Sequence, residues 1–327
     1  MTPFFPMLAF SFSPIVGYLI GGWGLLLTPF LTFVFAPTVD AIFKKRPPWK
    51  ASQPQWAYDF SLYAYFILHF VLIIWGAYRF SSGELSGWER AGLVLSVGLI
   101  TGGIGITYAH ELIHRRSKFA RTVGELILSG VCYGHFAVEH VYGHHVNVAT
   151  AQCPVSAARG VSFYRYYPRA VIGSFVHALK LKPVRVAGAC SVTLAIAIAP
   201  TVAWGWEALA FLVAQSFIAF TLLELIDYVE HYGLRREHLP DGRYEAVKAH
   251  HSWDTDGALT SLLLANLQRH SDHHLHPLKP YEQLELLPKA PRLPGTYPLM
   301  VLLALAPPLW RRVMDSRIPS SSPAPSG

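Results

Sequence analysis

Six times between residues 4 and 229 the chain runs through about twenty apolar, nearly uncharged positions, the length a helix needs to cross the hydrocarbon core of a bilayer. The stretches lie at about 4–20, 22–43, 58–79, 88–110, 184–203 and 206–229, and Gly21 and Gly22 break the first apolar block into a tight hairpin. With 52% hydrophobic and only 14% charged residues, the composition is that of an integral membrane protein and excludes an ordinary soluble domain of this size. The expected fold is therefore an all-α, six-helix membrane bundle. Cys132, Cys153 and Cys190 are isolated, so there is no CxxC-based zinc ribbon or iron–sulfur module, and a reducing compartment fits.

Charge orients the bundle. Lys44, Lys45, Arg46 and Lys50 lie between the second and third stretches, and a larger group from Arg115 to Lys182 lies between the fourth and fifth. The turns near Ser81 and Gly205 are nearly free of basic residues, which puts both termini on the cytoplasmic side. The net charge of +7 is accounted for by this bias, and it equally suits anionic headgroups or an acidic protein partner. The start, "MTPFFPMLAF", has no basic n-region or cleavage site and reads as part of the first span. Residues 122–138 are apolar but short, which suggests a re-entrant or interfacial helix. Beyond residue 230 a polar cap follows, with an apolar piece at 298–309 packed on it or lying in the interface. Residues 1–315 form one membrane-embedded domain, and 316–327 a disordered Ser/Pro tail.

Histidines punctuate the cytoplasmic ends of these helices in four clusters. "HELIH" offers His110 and His114, four apart on one helix face, and "EHVYGHH" offers His140 and His144 at the same spacing with His145 beside them. "VEHYG" supplies His231, and "NLQRHSDHH" supplies His270, His273 and His274. A single pair at this spacing is most often a solvated helix face. Four clusters on one membrane side are a different matter, because cysteine-free imidazole ligation suits iron, copper, nickel or zinc, and nine nitrogens exceed the needs of one ion. Two metals with open positions are implied. Glu111, Glu139, Glu230 and Asp272 adjoin these histidines and are candidates to accept the second ring N–H of a ligand, or to bind metal themselves. His135 and His251 are further candidates for the surrounding shell, with His250 and His276 nearby. His177 and His238 read as loop residues, and His69 lies inside the third span.

These boxes, with "DYVEHYG", "LQRHSDHH", "DGRYEAVKAHHSW" and "PPLWRRVMD", resemble those of the membrane-bound non-haem di-iron alkane hydroxylases and their xylene and cymene monooxygenase relatives, from about residue 15 to 315. Fatty acid desaturases share the broader histidine theme. The resemblance implies a cytoplasmic histidine-rich cap in the bacterial inner membrane, two iron ions held by the nine histidines, and no haem or flavin. It implies O2-dependent hydroxylation of a terminal methyl group, with electrons from NADH through a reductase and rubredoxin. The substrate would reach the metals from the bilayer through a channel shaped by side chains such as Trp23, Thr32, Phe33 and Phe66. The chain departs from the family pattern at Asp227 and Asp254, where Asn is usual, at Cys153, where Asp is common, and in a shortened segment at about 170–184.

Variants of the same chemistry and two further classes remain from the residues. Hydroxylation of a methyl group on an aromatic ring is the runner-up, and desaturation or epoxidation stands further back. A histidine-based metal transporter or sensor is the alternative of another class. Transporters hold ions near the bilayer midplane, whereas the spans here contain few ionisable residues beyond Asp40, Asp59, His69 and Glu224. A structural zinc protein is the third.

Overall fold

The computed structural model describes residues 4–43 and 53–319, so Lys44, Lys45, Arg46 and Lys50, as well as the tail from 320, lie outside the described residues. Among the described residues, five helices are long and apolar enough to cross a membrane: α2 (Gly22–Phe43), α3 (Gln55–Ser81), α4 (Gly87–Ile113), α8 (Pro183–Trp204) and α9 (Trp206–His231). They match five of the six expected spans to within a few residues. The first expected span forms a shorter apolar helix, α1 (Phe5–Ile20), ended by Gly21 at φ 75°. Between them come α5 (Lys118–Gly130), the helical segment α6 at 136–147, and α7 (Phe163–Leu181). Beyond α9 lie α10 (Thr260–Leu263), α11 (His270–Leu275), α12 (Tyr297–Ala304) and α13 (Pro307–Met314). Among the described residues there is no β-strand, only the isolated bridges His238–Tyr244 and Asp254–Arg292.

Helix α4 is the axis of the bundle, with 83% of its most apolar window buried against 11% for α8 at the periphery. A capping box starts it, the Ser86 N–H donating to Glu89 at 2.9 Å. Small residues then let α9 approach: a Cβ on Gly98 would sit 2.6 Å from Ile218 Cβ, and one on Gly102 would sit 2.7 Å from Ala219 Cα. Polar side chains fasten the same contact inside the bilayer. Thr101 donates to the Gln215 carbonyl at 2.9 Å, and the Gln215 amide donates to Gly130 O on α5 at 3.2 Å. At the end away from the histidines, Arg90 and Glu207 tie α4 to α9 at 2.8 Å.

The segment 122–138 is not one helix. Helix α5 ends at Gly130, Cys132 takes φ 56°, and α6 begins at Phe136, so the chain dips into the bundle beside α4 and turns back. Helix α7 was not expected. Its apolar residues form one stripe rather than a continuous run, and Pro168 falls within it, so the sequence reads as loop although the helix packs on α9 through Phe163, Tyr166 and Ala170. His177 accordingly sits on a helix, not in a loop.

The buried Asp40 carboxylate at the end of α2 clamps the cap. It accepts hydrogen bonds from Leu259 N (2.7 Å), Thr260 N (3.2 Å) and Thr260 Oγ1 (2.5 Å). The apolar piece at 298–309 packs along α9, with Met300, Val301, Ala304 and Trp310 sharing a core with Tyr228, Val229 and Tyr232. Ile318 packs against the same cluster.

Candidate metal centre

The nine histidines meet at the ends of α4, α6, α9 and α11, and they divide. His110, His114, His140, His145 and His273 form one group, and His144, His231, His270 and His274 form the other, with the ligand atoms of each group within 4.8 Å of one another. The division depends on a local departure from α-helix geometry. Residues Glu139–His144 form a π-helical turn, so His140 shares a face with His145 rather than with His144. The Nε2 atoms of His140 and His145 are 3.1 Å apart, and His144 turns into the other group, its Nε2 3.2 Å from that of His274. The expected pairing of His140 with His144 on one face is thus replaced by an i, i+5 pairing. A second π-turn, Thr101–Ile106, lies on α4 just before His110 and His114. On α11 ordinary geometry holds: His270 and His274 face one group and His273 the other.

The spacings match a coordination shell. His231 and His270 Nε2 are 3.1 Å apart, His270 and His274 2.9 Å, and His273 and His145 3.0 Å. Adjacent ligands of an octahedral ion with metal–imidazole bonds of about 2.1 Å stand about 3.0 Å apart. Hydrogen bonding alone does not account for this convergence, because each neutral imidazole has one N–H and the Nε2 atoms of His110 and His114 are buried without a partner. Burial pushes His114 down to about 3 and holds His140, His144, His145, His270, His273 and His274 well below the ordinary histidine range. The rings are therefore neutral at physiological pH, with lone pairs free for metal. The residues present fit two metal ions.

Around the rings the partners differ from sequence adjacency. Glu230 touches one of the nine, its Oε2 lying 3.2 Å from His270 Nε2 while Tyr297 donates to Oε1 at 2.6 Å. Glu111 pairs with Arg115 at 2.8 Å, and Glu139 faces His177 Nδ1 at 3.3 Å. Asp272 takes His276, Lys279 and the Glu285 N–H, and Arg269 donates to Leu284 O and lies 3.6 Å from Asp256. His251 acts through its backbone: its carbonyl faces His231 Nδ1 at 3.3 Å, while its ring lies between Lys248 N and Glu245. Glu245, His250 and His251 make a third cluster of ligand type, but Lys248 Nζ is bonded to the Glu245 carboxylate. His135 stacks edge-on against Tyr133 and Phe175.

Sequence reasoning missed two contacts to the rings or their supports. Cys153 Sγ, fully buried, lies 3.3 Å from His144 Nδ1, so the position noted only as a departure from the family pattern abuts one of the nine histidines. Tyr297 holds Glu230, and nothing near it in sequence signals that. Asp254, the other cap departure, accepts the Ser271 N–H at 2.8 Å and so fixes the start of α11.

Helix α9 brings three buried carboxylates toward this end. Glu224 is met by the hydroxyls of Tyr133 (2.6 Å) and Tyr166 (3.2 Å), Glu230 is described above, and Asp227 Oδ2 has no hydrogen-bond partner. Asp227 and Glu230 line a cavity of about 360 Å³ of empty space with His110, His140, His270 and Phe136. On the bundle side of Ile226 a second, narrow and almost wholly apolar cavity lies between α1, α2, α4 and α9, past Phe10, Thr32, Phe33 and Ile104. Ile226 lines both. Of the residues expected to shape a channel, Thr32 and Phe33 line this cavity, whereas Phe66 packs against Phe70 outside its lining and Trp23 is exposed and pairs with Trp88 at the opposite end of the bundle.

The chain was compared with known proteins. A family profile described as fatty acid desaturase matches residues 86–302. Alkane 1-monooxygenase 1 of Pseudomonas aeruginosa is 41% identical over 75% of this chain and 68% of its own length. The alkane 1-monooxygenase of Ectopseudomonas oleovorans is 32% identical over 94% of the chain and 82% of its own length. The hydroxylase component of the xylene/toluene monooxygenase of Pseudomonas putida is 26% identical over 90% and 83%.

Proposed function

The chain belongs to the alkane 1-monooxygenase family and is a multi-pass membrane oxidoreductase, and on that premise we propose that it hydroxylates the terminal methyl group of an alkane or alkyl chain at a di-iron centre. The reaction would be R–CH3 + O2 + 2 e⁻ + 2 H⁺ → R–CH2OH + H2O. The observation that carries this reading is the meeting of a narrow apolar cavity with two all-histidine metal sites at a single residue, Ile226. His110, His114, His140, His145 and His273 would hold one iron, and His144, His231, His270 and His274 the other. Bound there, iron would supply O2 activation that no side chain of the twenty can perform.

The protein's own part is binding and exclusion. The inner cavity has few polar groups in its walls, so it can orient a chain only by shape, presenting its end past Ile226 to the histidine cavity. Asp227 and Glu230 are the carboxylates waiting there beside the rings and Thr107, with Glu230 held by Tyr297. The packed cap, clamped by Asp40, keeps bulk water from the site.

Electrons would come from NADH through a rubredoxin reductase and rubredoxin. A small acidic carrier would meet Arg235 and Arg236 on the loop after α9, where Arg236 bonds Val146 O beside His145, while Arg243 and Lys248 of the same loop are already paired with Asp241 and Glu245. The site would face the cytoplasm, across the bacterial inner membrane. Residues 1–315 would act as one domain.

The test is turnover of octane, dodecane and p-xylene by purified protein with added rubredoxin, reductase and NADH under 18O2. A terminal alcohol carrying one 18O is expected, with the linear chains preferred. Preference for p-xylene would favour the alkyl-aromatic reading, and an alkene product a desaturase.

A further inference from the structure

On the far side of the α6 segment from the metal centre lies a second groove, of about 1140 Å³ of empty space, open between α7 and α8. Its floor is the turn between α5 and α6. Helix α5 has thirteen residues and penetrates about 20 Å from the histidine end, so the turn sits at membrane depth, where a non-helical backbone must satisfy itself. It does so: Tyr133 N donates to Leu128 O at 2.9 Å, Cys132 N to Ser129 O at 3.2 Å, and Thr193 and Gln215 take up the Ser129 and Gly130 carbonyls. Among the described residues one buried side-chain polar atom of this turn has no partner. His135 Nε2 is buried with no partner, on a side chain only 7% exposed that lines the groove.

The remainder of the wall is Val171, Ile172, Phe175, Leu194, Ala197 and their neighbours, without a single charged residue. A phospholipid headgroup or a carboxylate would find no counter-charge. A pure alkane would leave His135 unsatisfied, which costs on the order of 1–3 kcal/mol for a buried polar group. A long chain with one neutral hydroxyl satisfies both the apolar wall and the imidazole once the ring turns to present Nε2, now covered, to the groove. The groove is also only one layer of side chains from the metal centre. Phe136 faces the histidine cavity and stacks on His140 at 4.7 Å, while Tyr133 and His135 face the groove. On α9, Phe220 lines the groove and stacks on Tyr133, and Leu223 lines the cavity.

We propose that this groove is a binding site for long-chain primary alcohols, with His135 bonding the hydroxyl, through which the product of the hydroxylation leaves for the bilayer. It rests on the function proposed above. An alkane enters along the apolar cavity beside α2, and the alcohol leaves on the other side of α9, so product does not compete with incoming substrate.

The experiment is photolabelling of the iron-loaded protein in lipid nanodiscs with 1-dodecanol carrying a mid-chain diazirine, and with dodecane carrying the same group, mapped by mass spectrometry. The alcohol is expected to label 171–175 and 189–197, and to be displaced by unlabelled 1-dodecanol in preference to dodecane. His135→Phe should weaken that labelling by on the order of tenfold, the factor for one hydrogen bond of about 1.4 kcal/mol. His135→Gln, which keeps a donor, should restore much of it, and Ala197→Trp should abolish it by filling the groove. Iron content equal to that of the parent protein controls for folding. Alcohol label confined to the inner cavity, or groove labelling that is equal for alkane and alcohol and indifferent to His135, overturns the proposal. Neither outcome depends on turnover, so failure of the hydroxylase reading would show separately, as absence of alcohol in the turnover assay.

Discussion

Gly102 and Gly103 provide a sharp test of how the bundle positions the metals. They are adjacent on α4, yet their surroundings differ. A Cβ on Gly102 would lie 2.7 Å from Ala219 Cα and 2.8 Å from Ala219 O, both backbone atoms that cannot rotate aside, whereas one on Gly103 meets only Leu222 Cδ2 at 3.7 Å. Since ordinary contact begins at 3.4 Å, Gly102→Ala must drive α4 and α9 apart by about 0.7 Å at this level (3.4 − 2.7), an overpacking that costs about 1–3 kcal/mol. Helix α4 carries two histidines of one group and α9 carries His231 of the other, so on the proposed di-iron reading the two metal positions should shift relative to each other. The assay is thermal unfolding of the iron-loaded protein in detergent, with iron per chain measured in parallel. Gly102→Ala should melt earlier and lose iron. Gly103→Ala should be neutral or slightly stabilised, since Ala favours helix over Gly by up to about 1 kcal/mol. Equal behaviour of the two variants would refute the close-approach argument.

Other outcomes follow from named contacts. Cys153→Ala removes the acceptor beside His144 Nδ1 and should speed iron loss to a chelator on the order of 10–100-fold, with Cys153→Asp reversing that effect. Ile226→Phe should crowd the boundary that the two cavities share and abolish dodecane oxidation while leaving iron content intact, as product analysis would show. The metal-free protein should lose stability in acid: the unfolded chain protonates its histidines near 6.5, whereas burial keeps His114 neutral down to about 3, so protons favour unfolding throughout that window. At pH 5.5 each such ring costs about 1.4 kcal/mol, readable as a lower melting temperature than at pH 7.5.

Much of this was legible in the residues. Five spans follow from uninterrupted apolar length, and the nine histidines stand out because nothing else explains so many imidazoles at helix ends. What the sequence hid has physical causes. Their division into five and four depends on a π-turn at Glu139–His144, and no residue in "EHVYGH" announces a change from 3.6 residues per turn. Adjacency misled the assignment of carboxylates. Neighbours on a helix point about 100° apart, so Glu111 cannot reach the ring of His110 and turns to Arg115 instead. Glu230 does reach one of the nine rings, but on another helix, at His270. Helix α7 escaped notice because its apolar face is a stripe, and with it went the His177–Glu139 contact. Cys153 was visible as a departure, but its place against His144 needed the fold.

The central claim is that the nine histidines hold two irons. Metal analysis of the protein purified from iron-replete cells tests it most directly: the account predicts two irons per chain, falling toward one when His231 or His270 is replaced by Ala. One iron in the parent protein, or zinc filling both sites, would contradict it.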